Sequence, residues 1–212
     1  MKNSRKIILA SLLLTFISYT NSNAQSNVAK FGVKGGVNFS NLYTDNADDE
    51  NVLTGFNIGL YAKVPVTNSI SIQPEVYYTG KGAEVVYNNV FASGTAKFKL
   101  NYIEVPVMLV ANVTKNFNVQ VGPYAGYLIS GKTTNESGTY NFQDNINTDD
   151  FNKIDAGVAA GLGFDLETVS FGVRYNYGLT KVGKERNYSG TNYTFPDGKN
   201  SVLSFYGAFS FN

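Results

Sequence analysis

Hydrophobic and polar residues alternate along most of the chain with a period of two. Phe117, Val119 and Val121, for example, are separated by Asn118 and Gln120. This is the period of a β-strand whose two faces meet different surroundings, whereas a helix repeats every 3.6 residues. The alternation predicts eight strands, at residues 30–42, 54–64, 69–79, 98–111, 116–130, 153–166, 169–179 and 201–211.

The connections between these strands are alternately short and long. Short turns are predicted near residues 65–68, 112–115 and 167–168. The other connections are long, at residues 43–53, 80–97, 131–152 and 180–200. Loops of this length are uncommon in compact soluble domains. In an antiparallel meander, all of them fall at one end of the sheet.

The first 24 residues follow a different pattern. Three basic residues lie within the first six positions and precede an apolar run at residues 7–18. That run is shorter than the about 20 residues that a membrane-spanning helix needs. Small residues precede Gln25, so we expect a secretory signal peptide cleaved between Ala24 and Gln25. The predicted organisation is a signal peptide at 1–24, a short lead at 25–29 and one barrel domain at 30–212.

An even number of antiparallel strands of about ten residues, with short turns at one end and long loops at the other, is typical of outer-membrane barrels. The sheet must close because lipid offers no partners to unpaired backbone groups. The predicted fold is therefore all-β: an eight-stranded antiparallel up-and-down transmembrane barrel. Side chains are expected to fill its lumen, because eight strands enclose just enough space for them.

Aromatic residues on the apolar face lie near the strand ends. Such rings concentrate at the two interfaces of a membrane barrel, with smaller apolar residues between them. The belt predicted at the short-turn end is Phe31, Phe117, Phe164, Phe171 and Phe211, and the belt at the long-loop end is Phe39, Phe56, Tyr78, Tyr127 and Tyr177. A soluble fold, either a lipocalin-like ligand-binding barrel or a β-sandwich, is the rival. It fits less well because the narrower face is rich in Gly, Ser, Ala and Asn, which suit a small lumen.

Charged residues also occur on the inward face of the predicted barrel. They are Lys34, Lys63, Glu75, Glu104, Asp155 and Arg174. Buried charges must pair. We expect Lys34 and Arg174 to reach both Glu75 and Glu104, with the Arg174 fork bridging the two carboxylates. No partner is evident for Lys63 or Asp155.

Composition narrows the possible chemistry. The chain has 212 residues with no cysteine and no histidine. A disulfide framework, a thiol nucleophile and a histidine-dependent triad are thereby excluded. Glu75 and Glu104 are a candidate carboxylate dyad for hydrolysis, but a structural ion network is the favoured interpretation. A net charge of +1 argues against nucleic-acid binding. No cofactor is predicted.

Two loops carry clustered charge. The first holds oxygen ligands that a calcium ion accepts, but without the spacing of an EF-hand, so a solvated acidic loop is favoured over a metal site. The last loop is basic. It is predicted either to contact lipopolysaccharide phosphates or simply to carry positive charge at the solvent-exposed rim of the barrel. The acidic residues are Asp45, Asp48, Asp49 and Glu50; the basic ones are Lys181, Lys184, Arg186 and Lys199.

Several segments resemble one bacterial family. They are FGVKGGVNFSNL, LNYIEVPVML, VGPYAGYLISGK and DAGVAAGLGFDL followed by SFGVRYNYGLT. In this order they resemble the outer-membrane β-barrel proteins of Bacteroidetes, often labelled PorT-like or "porin family". The resemblance covers residues 30–212 and implies a Gram-negative envelope and a link to type IX secretion. One departure is that Phe211 is followed by Asn212, whereas such barrels usually end in an aromatic residue.

The leading functional expectation is a non-enzymatic outer-membrane barrel whose long extracellular loops serve binding, envelope integrity or secretion. Both termini would be periplasmic. The expected partners are outer-membrane lipid, lipopolysaccharide and the barrel assembly machinery, and the expected state is a monomer. The main alternative is a small-solute porin. A soluble ligand-binding barrel and an enzyme of unfamiliar mechanism are less favoured alternatives.

Overall fold

The computed structural model describes residues 28–43, 52–88, 93–137, 141–145, 148, 151–188, 191–194 and 198–211. Most of the predicted lead at 25–29 lies outside these residues, as do the predicted signal peptide at 1–24 and the predicted cleavage position between Ala24 and Gln25. No helix in the described part of the chain has the length and apolar character needed to cross a membrane.

Strands dominate the described residues. They are β1 (Lys30–Tyr43), β2 (Leu53–Pro65), β3 (Ile70–Asn88), β4 (Ser93–Asn112), β5 (Phe117–Ser137), β6 (Asn141–Asn145), β7 (Ile154–Asp165), β8 (Val169–Lys181), β9 (Glu185–Tyr188), β10 (Thr191–Thr194) and β11 (Lys199–Ser210). We call the end with the connections at 66–69, 113–116 and 166–168 the turn end, and the opposite one the loop end.

Eight of these strands close into a barrel. Each long strand pairs antiparallel with the next along the chain, and β1 closes the ring against β11 from Gly32↔Ser210 to Tyr43↔Lys199. The ring runs β1, β2, β3, β4, β5, β7, β8, β11. The predicted eight-stranded antiparallel barrel is therefore confirmed. The predicted bounds of five strands lie within two residues of those observed for β1, β2, β7, β8 and β11.

Three strands are much longer than predicted, and the predicted loop at residues 80–97 is wrong. The ladder between β3 and β4 continues to Asn88↔Ser93, and β4 pairs with β5 as far as Gly94↔Ser137. Alternation fades in these segments because strands beyond the lipid need no apolar outer face. Two further elements were missed for the same reason, namely β6, which pairs with the end of β5, and the β9–β10 hairpin.

The two faces of the barrel carry different residues. Side chains such as Ile58, Val105 and Phe171 are outward and about half exposed. The structure places all ten aromatic residues of the two predicted belts on this outer face, each exposed or half-buried. At the loop end the ring centroids of Phe56 and Tyr78 lie 5.7 Å apart.

Inside the barrel, tyrosine rings cover glycines of the neighbouring strand. A Cβ at Gly59 would lie 2.5 Å from Cδ1 of Tyr77, its register partner on β3. The same register pairing joins Gly32 with Tyr61, Gly157 with Tyr124 and Gly172 with Tyr206. These glycines provide the space into which four large rings fold.

Candidate functional site in the barrel lumen

Glu75 is the centre of a buried ion cluster in the turn-end half of the lumen. Its side chain is fully buried and accepts bonds from two cations on other strands. Lys34 Nζ lies 3.2 Å from Glu75 Oε1, and both terminal nitrogens of the Arg174 guanidinium donate to the carboxylate, Nη2 at 2.9 Å from Oε1. Gln73 Nε2 donates to the same oxygen. One anion thus lies between two cations, and we call Lys34, Glu75 and Arg174 the Glu75 triad.

Aromatic and amide groups surround the cations of this triad. Lys34 Nζ lies 3.6 Å from the centroid of the Tyr206 ring, within the range of a cation–π contact. Arg174 Nη2 donates to Gln120 Oε1 at 2.7 Å, and Gln120 Nε2 donates to the Tyr206 hydroxyl at 3.0 Å. These contacts hold both cations in fixed positions against the barrel wall.

Lys81 is the centre of a second cluster, in the loop-end half, with the opposite arrangement of charge. Its ammonium contacts two carboxylates, Glu104 on β4 and Asp155 on β7, the latter at 2.8 Å. Asn176 Nδ2 donates to Glu104 Oε1 at 2.9 Å, and Lys81 Nζ lies 4.5 Å from the Tyr124 ring centroid. One cation thus lies between two anions, and we call Lys81, Glu104 and Asp155 the Lys81 triad.

The two triads complement each other. The Glu75 triad carries one excess positive charge and the Lys81 triad one excess negative charge, so together they are neutral. The cavity lined by Lys34, Arg174, Lys81 and Glu104 has a volume of only about 20 Å³. That is room for about one water molecule. The side chains of the two triads therefore fill most of this section of the lumen.

Apolar side chains close the lumen above the Lys81 triad. They come from β1, β3, β4, β5 and the end of β8, they are 6% exposed or less, and Phe151 packs against them. A backbone bond from Asn152 N to Val182 O at 2.9 Å fastens the neighbouring segment to the end of β8. We call this cluster the loop-end cap; it consists of Leu42, Ala83, Leu100, Tyr102, Leu128 and Val182.

The turn end is open by contrast. A cavity of about 660 Å³ opens between the three turns and reaches inward to Lys34 and Gln120. Lys63 and Asp165 face each other across its wall at 2.8 Å, and their side chains are 16% and 28% exposed. The lumen is thus a vestibule that ends blindly at the Glu75 triad.

Comparison with known proteins identifies the architecture. A family model described as "Outer membrane protein beta-barrel domain" matches residues 23–183. The chain belongs to this outer-membrane β-barrel family. It is therefore an outer-membrane protein that crosses the bilayer with its strands. Among curated proteins, none has a matching sequence.

Solved structures of outer-membrane barrels resemble this chain at low identity. Neisserial surface protein A is 16% identical over 87% of this chain and 99% of its own, with a TM-score of 0.50. Ail of Yersinia pestis is 14% identical over 86% and 99%, with a TM-score of 0.47. The outer membrane protease OmpT of Escherichia coli is 8% identical over 91% and 99%, with a TM-score of 0.43. At such identities the similarity is one of fold.

The structure brings together only part of the predicted ion network. Lys34, Glu75 and Arg174 are in contact, but the prediction that Arg174 bridges Glu75 and Glu104 is wrong. Glu104 pairs with Lys81, which lies closer. The two carboxylates thus belong to separate triads, Glu75 with two cations and Glu104 with one. The two strands have room for both because Glu104 is in register with Tyr77 and not with Glu75.

The prediction that Lys63 and Asp155 lack partners is also wrong. Lys63 pairs with Asp165, and Asp155 pairs with Lys81. Both partners continue the inward alternation, Lys81 beyond the predicted end of its strand and Asp165 at the last inward position of the strand predicted at 153–166. Lys81 follows Thr79 on β3, in a segment predicted as loop, and Asp165 is the last residue of β7.

Gln73 and Gln120 were missed because only charged residues were considered. A four-residue repeat in the sequence marks them. It lies near the start of each strand that leaves the turn end and consists of Phe or Ile, then Gly, Ser or Asn, then Val or Ile, then a long polar residue. The four copies are FGVK at 31–34, ISIQ at 70–73, FNVQ at 117–120 and FGVR at 171–174. Their last residues are all buried around Glu75.

The candidate metal ligands Asp45, Asp48, Asp49 and Glu50 lie outside the described residues. Within the described ranges, no group of three or more acidic side chains is arranged to hold a metal ion. Of the basic residues predicted in the last loop, Lys184 is exposed and Lys181 and Lys199 are register partners on β8 and β11. Arg186 lies in β9.

Proposed function

We propose that this protein is a non-conducting, non-enzymatic outer-membrane barrel that displays a binding surface outside the cell. The observation that carries the proposal is the closed lumen. The Glu75 and Lys81 triads fill the middle of the lumen, and the loop-end cap closes the side opposite the vestibule. A porin lumen is instead polar and water-filled.

The strands that extend past the lipid form the proposed binding surface. β3, β4 and β5 have 19, 20 and 21 residues. A tilted strand crosses the hydrocarbon in about 9–11 residues. The remaining half of each strand, together with β6, forms a sheet that stands on one side of the barrel at the loop end. In the proposed orientation this sheet faces the exterior and both termini face the periplasm.

Planar-bilayer recording tests the closed lumen. The purified monomer should show no steady conductance, because neither triad leaves a continuous water path. A variant in which Leu100 and Leu128 of the loop-end cap are both changed to Ser opens only the loop-end mouth, so it should also stay closed because the two triads still fill the middle of the lumen. Stable single-channel steps from the wild-type protein would overturn the proposal and favour the small-solute porin.

Cysteine labelling tests the orientation. Since the chain has no cysteine, a single Lys184→Cys at the loop end or Lys115→Cys at the turn end introduces one thiol at an exposed position. A membrane-impermeant maleimide should label only Lys184→Cys on intact cells, and Lys115→Cys should react after lysis. The reverse pattern would contradict extracellular loops.

The PorT-like resemblance supports a narrower role within this proposal, in the secretion machinery of the Bacteroidetes envelope. Deleting the protein from its host should then leave type IX cargo inside the cell, and complementation should restore export. Normal export in the deletion strain would limit the role to surface binding or envelope integrity.

A further inference from the structure

The vestibule at the turn end has the size and the lining of a binding site, and the proposed surface at the loop end gives it no role. Its volume of about 660 Å³ falls within the range of about 300–1,000 Å³ that small-molecule sites occupy. The rings of Tyr61 and Tyr206 form part of its wall. Hydroxyl and amide groups line much of the rest, from Ser71, Ser170, Gln73, Gln120, Asn112 and Asn116. This lining suits a small polar ligand.

The charged residues of the vestibule are mostly cationic. Four lysines and two carboxylates line it, namely Lys30, Lys34, Lys63, Lys115, Asp165 and Glu167, which leaves an excess of two positive charges. Asp165 already has partners, since Lys63 Nζ and Asn118 Nδ2 both donate to its Oδ2, at 2.8 and 2.9 Å. At the blind end, Lys34 belongs to the Glu75 triad, which keeps one excess positive charge. The vestibule therefore attracts anions.

Two of the lysines converge at its mouth. Lys30 on β1 and Lys63 on β2 are register partners, and both side chains reach across the barrel to the segment 165–167 at the end of β7. Lys63 Nζ lies 2.8 Å from Asp165 Oδ2, and Lys30 Nζ donates to the backbone oxygen of Glu167 at 3.3 Å. Within the described part of the chain, only Lys63 of the two forms an ion pair. Two ammonium groups thus share one carboxylate at the mouth.

Hydrogen bonds fix the rim of the vestibule. The hydroxyls of Thr67 and Thr114 each accept a backbone N–H three residues further along the chain, at 3.0 Å. Asn116 Nδ2 donates to the backbone oxygen of Asp165 at 2.7 Å and joins the turn after β4 to the end of β7. A rim that is already ordered loses little conformational freedom when a ligand binds.

We propose that the vestibule binds a small organic anion, with Lys30 and Lys63 supplying positive charge at its mouth and Lys34 at its blind end. A lysine attracts a carboxylate or a phosphate as a point charge. The hydroxyl and amide groups of the wall would meet the polar remainder of a ligand about as large as a dipeptide or a sugar phosphate. In the proposed orientation this ligand is a periplasmic solute, but its binding to the purified barrel does not depend on orientation.

Protection of a single thiol tests the site. The chain has no cysteine, and Ser170→Cys places one in the half-buried wall of the vestibule. The rate of maleimide labelling of the folded barrel in detergent is measured at constant ionic strength, because salt screens the attraction. Alanyl-glutamate and glucose 6-phosphate should slow labelling. Their uncharged counterparts, alanyl-glutamine with no net charge and glucose, should not.

Lysine variants in this Ser170→Cys background locate the positive charge. K30M/K63M brings the net charge of the lining to zero, and its folding is not at risk because both side chains are at least partly exposed. The anion concentration for half-maximal protection should rise about ten-fold for each lysine that contacts the ligand. Lys184→Met, which removes an exposed lysine from the loop end, should leave that concentration unchanged.

The outcomes separate the ligand classes from failure of the site. Protection by the dipeptide alone assigns a carboxylate as the recognised group, and protection by the sugar phosphate alone assigns a phosphate. No protection by either anion, or equal protection by the neutral counterparts, would overturn the proposal. So would an unchanged concentration in K30M/K63M or an equal change in K184M. Conductance plays no part in this assay, so its failure leaves the closed lumen standing.

Discussion

Replacing Glu75 with glutamine removes the one anion that two buried cations share. Lys34 and Arg174 then face each other in the lumen without a counter-charge. Removing one partner of a buried ion pair costs about 3–5 kcal/mol, so we expect Glu75→Gln to lower the free energy of unfolding by about 4 kcal/mol.

Replacing Arg174 with methionine should lower the free energy of unfolding by less than Glu75→Gln does. The change leaves Lys34 and Glu75 as a neutral pair at 3.2 Å. It removes charged hydrogen bonds to Glu75 and Gln120, and bonds to charged groups contribute about 1.5–3 kcal/mol each. Because the desolvation cost of the guanidinium disappears at the same time, we expect a net loss of about 2 kcal/mol.

The assay is urea titration of the folded barrel in detergent or vesicles. Folded and unfolded forms are separated by gel mobility without heating, because the chain has no tryptophan to report on unfolding. The double variant E75Q/R174M leaves one unpaired cation in place of two, so it should be more stable than E75Q alone. Such non-additivity is expected of residues in one network.

If Arg174→Met lowers the free energy of unfolding as much as Glu75→Gln does, the reasoning that unpaired buried charges decide the stability of the triads is refuted. The Lys81 triad gives an independent repeat with the signs reversed. There Lys81→Met leaves two buried carboxylates without a cation, whereas Asp155→Asn leaves Lys81 paired with Glu104. The lysine variant should be the less stable of the two.

Three further predictions address other parts of the barrel. Gly59→Ala should destabilise the barrel by about 1–3 kcal/mol, the range for overpacking, because its Cβ would meet the neighbouring strand. Gly207→Ala is the control in the same urea assay and should be tolerated, because its Cβ has no neighbour closer than 3.9 Å. Leu100→Ala in the loop-end cap should cost about 2–5 kcal/mol, and a cost near zero would show that the cap is loosely packed. Lys63→Met should cost only about 0.2–1 kcal/mol, because the pair with Asp165 is partly exposed, and the loss should shrink further in high salt.

Alternation alone was enough to predict most of the barrel. For β1, β2, β7, β8 and β11 the apolar outer face is required along nearly the whole strand, because lipid contacts it. The same requirement fixed the outward placement of Phe31 and Phe171. In β3, β4 and β5 the requirement ends where the strands leave the lipid, and there the sequence no longer distinguished a strand from a loop.

The partners inside the lumen were decided by the tertiary structure. Alternation indicated that Glu75, Glu104 and Arg174 point inward, but not which of them meet. That depends on the stagger between strands, which places Tyr77, and not Glu75, opposite Glu104. Lys81 reaches Glu104 only because β3 continues past the predicted loop boundary.

The sequence by itself determined which residues face lipid and which face the lumen, because a period of two is a local property of each strand. It also contained, in the repeated FGVK-like segments, the set of long polar residues that surrounds Glu75. Only the closed barrel decided that the inward charges form two triads of opposite net charge under an apolar cap. Ion pairing depends on distances across the lumen, and those distances are set by register and closure around the whole ring.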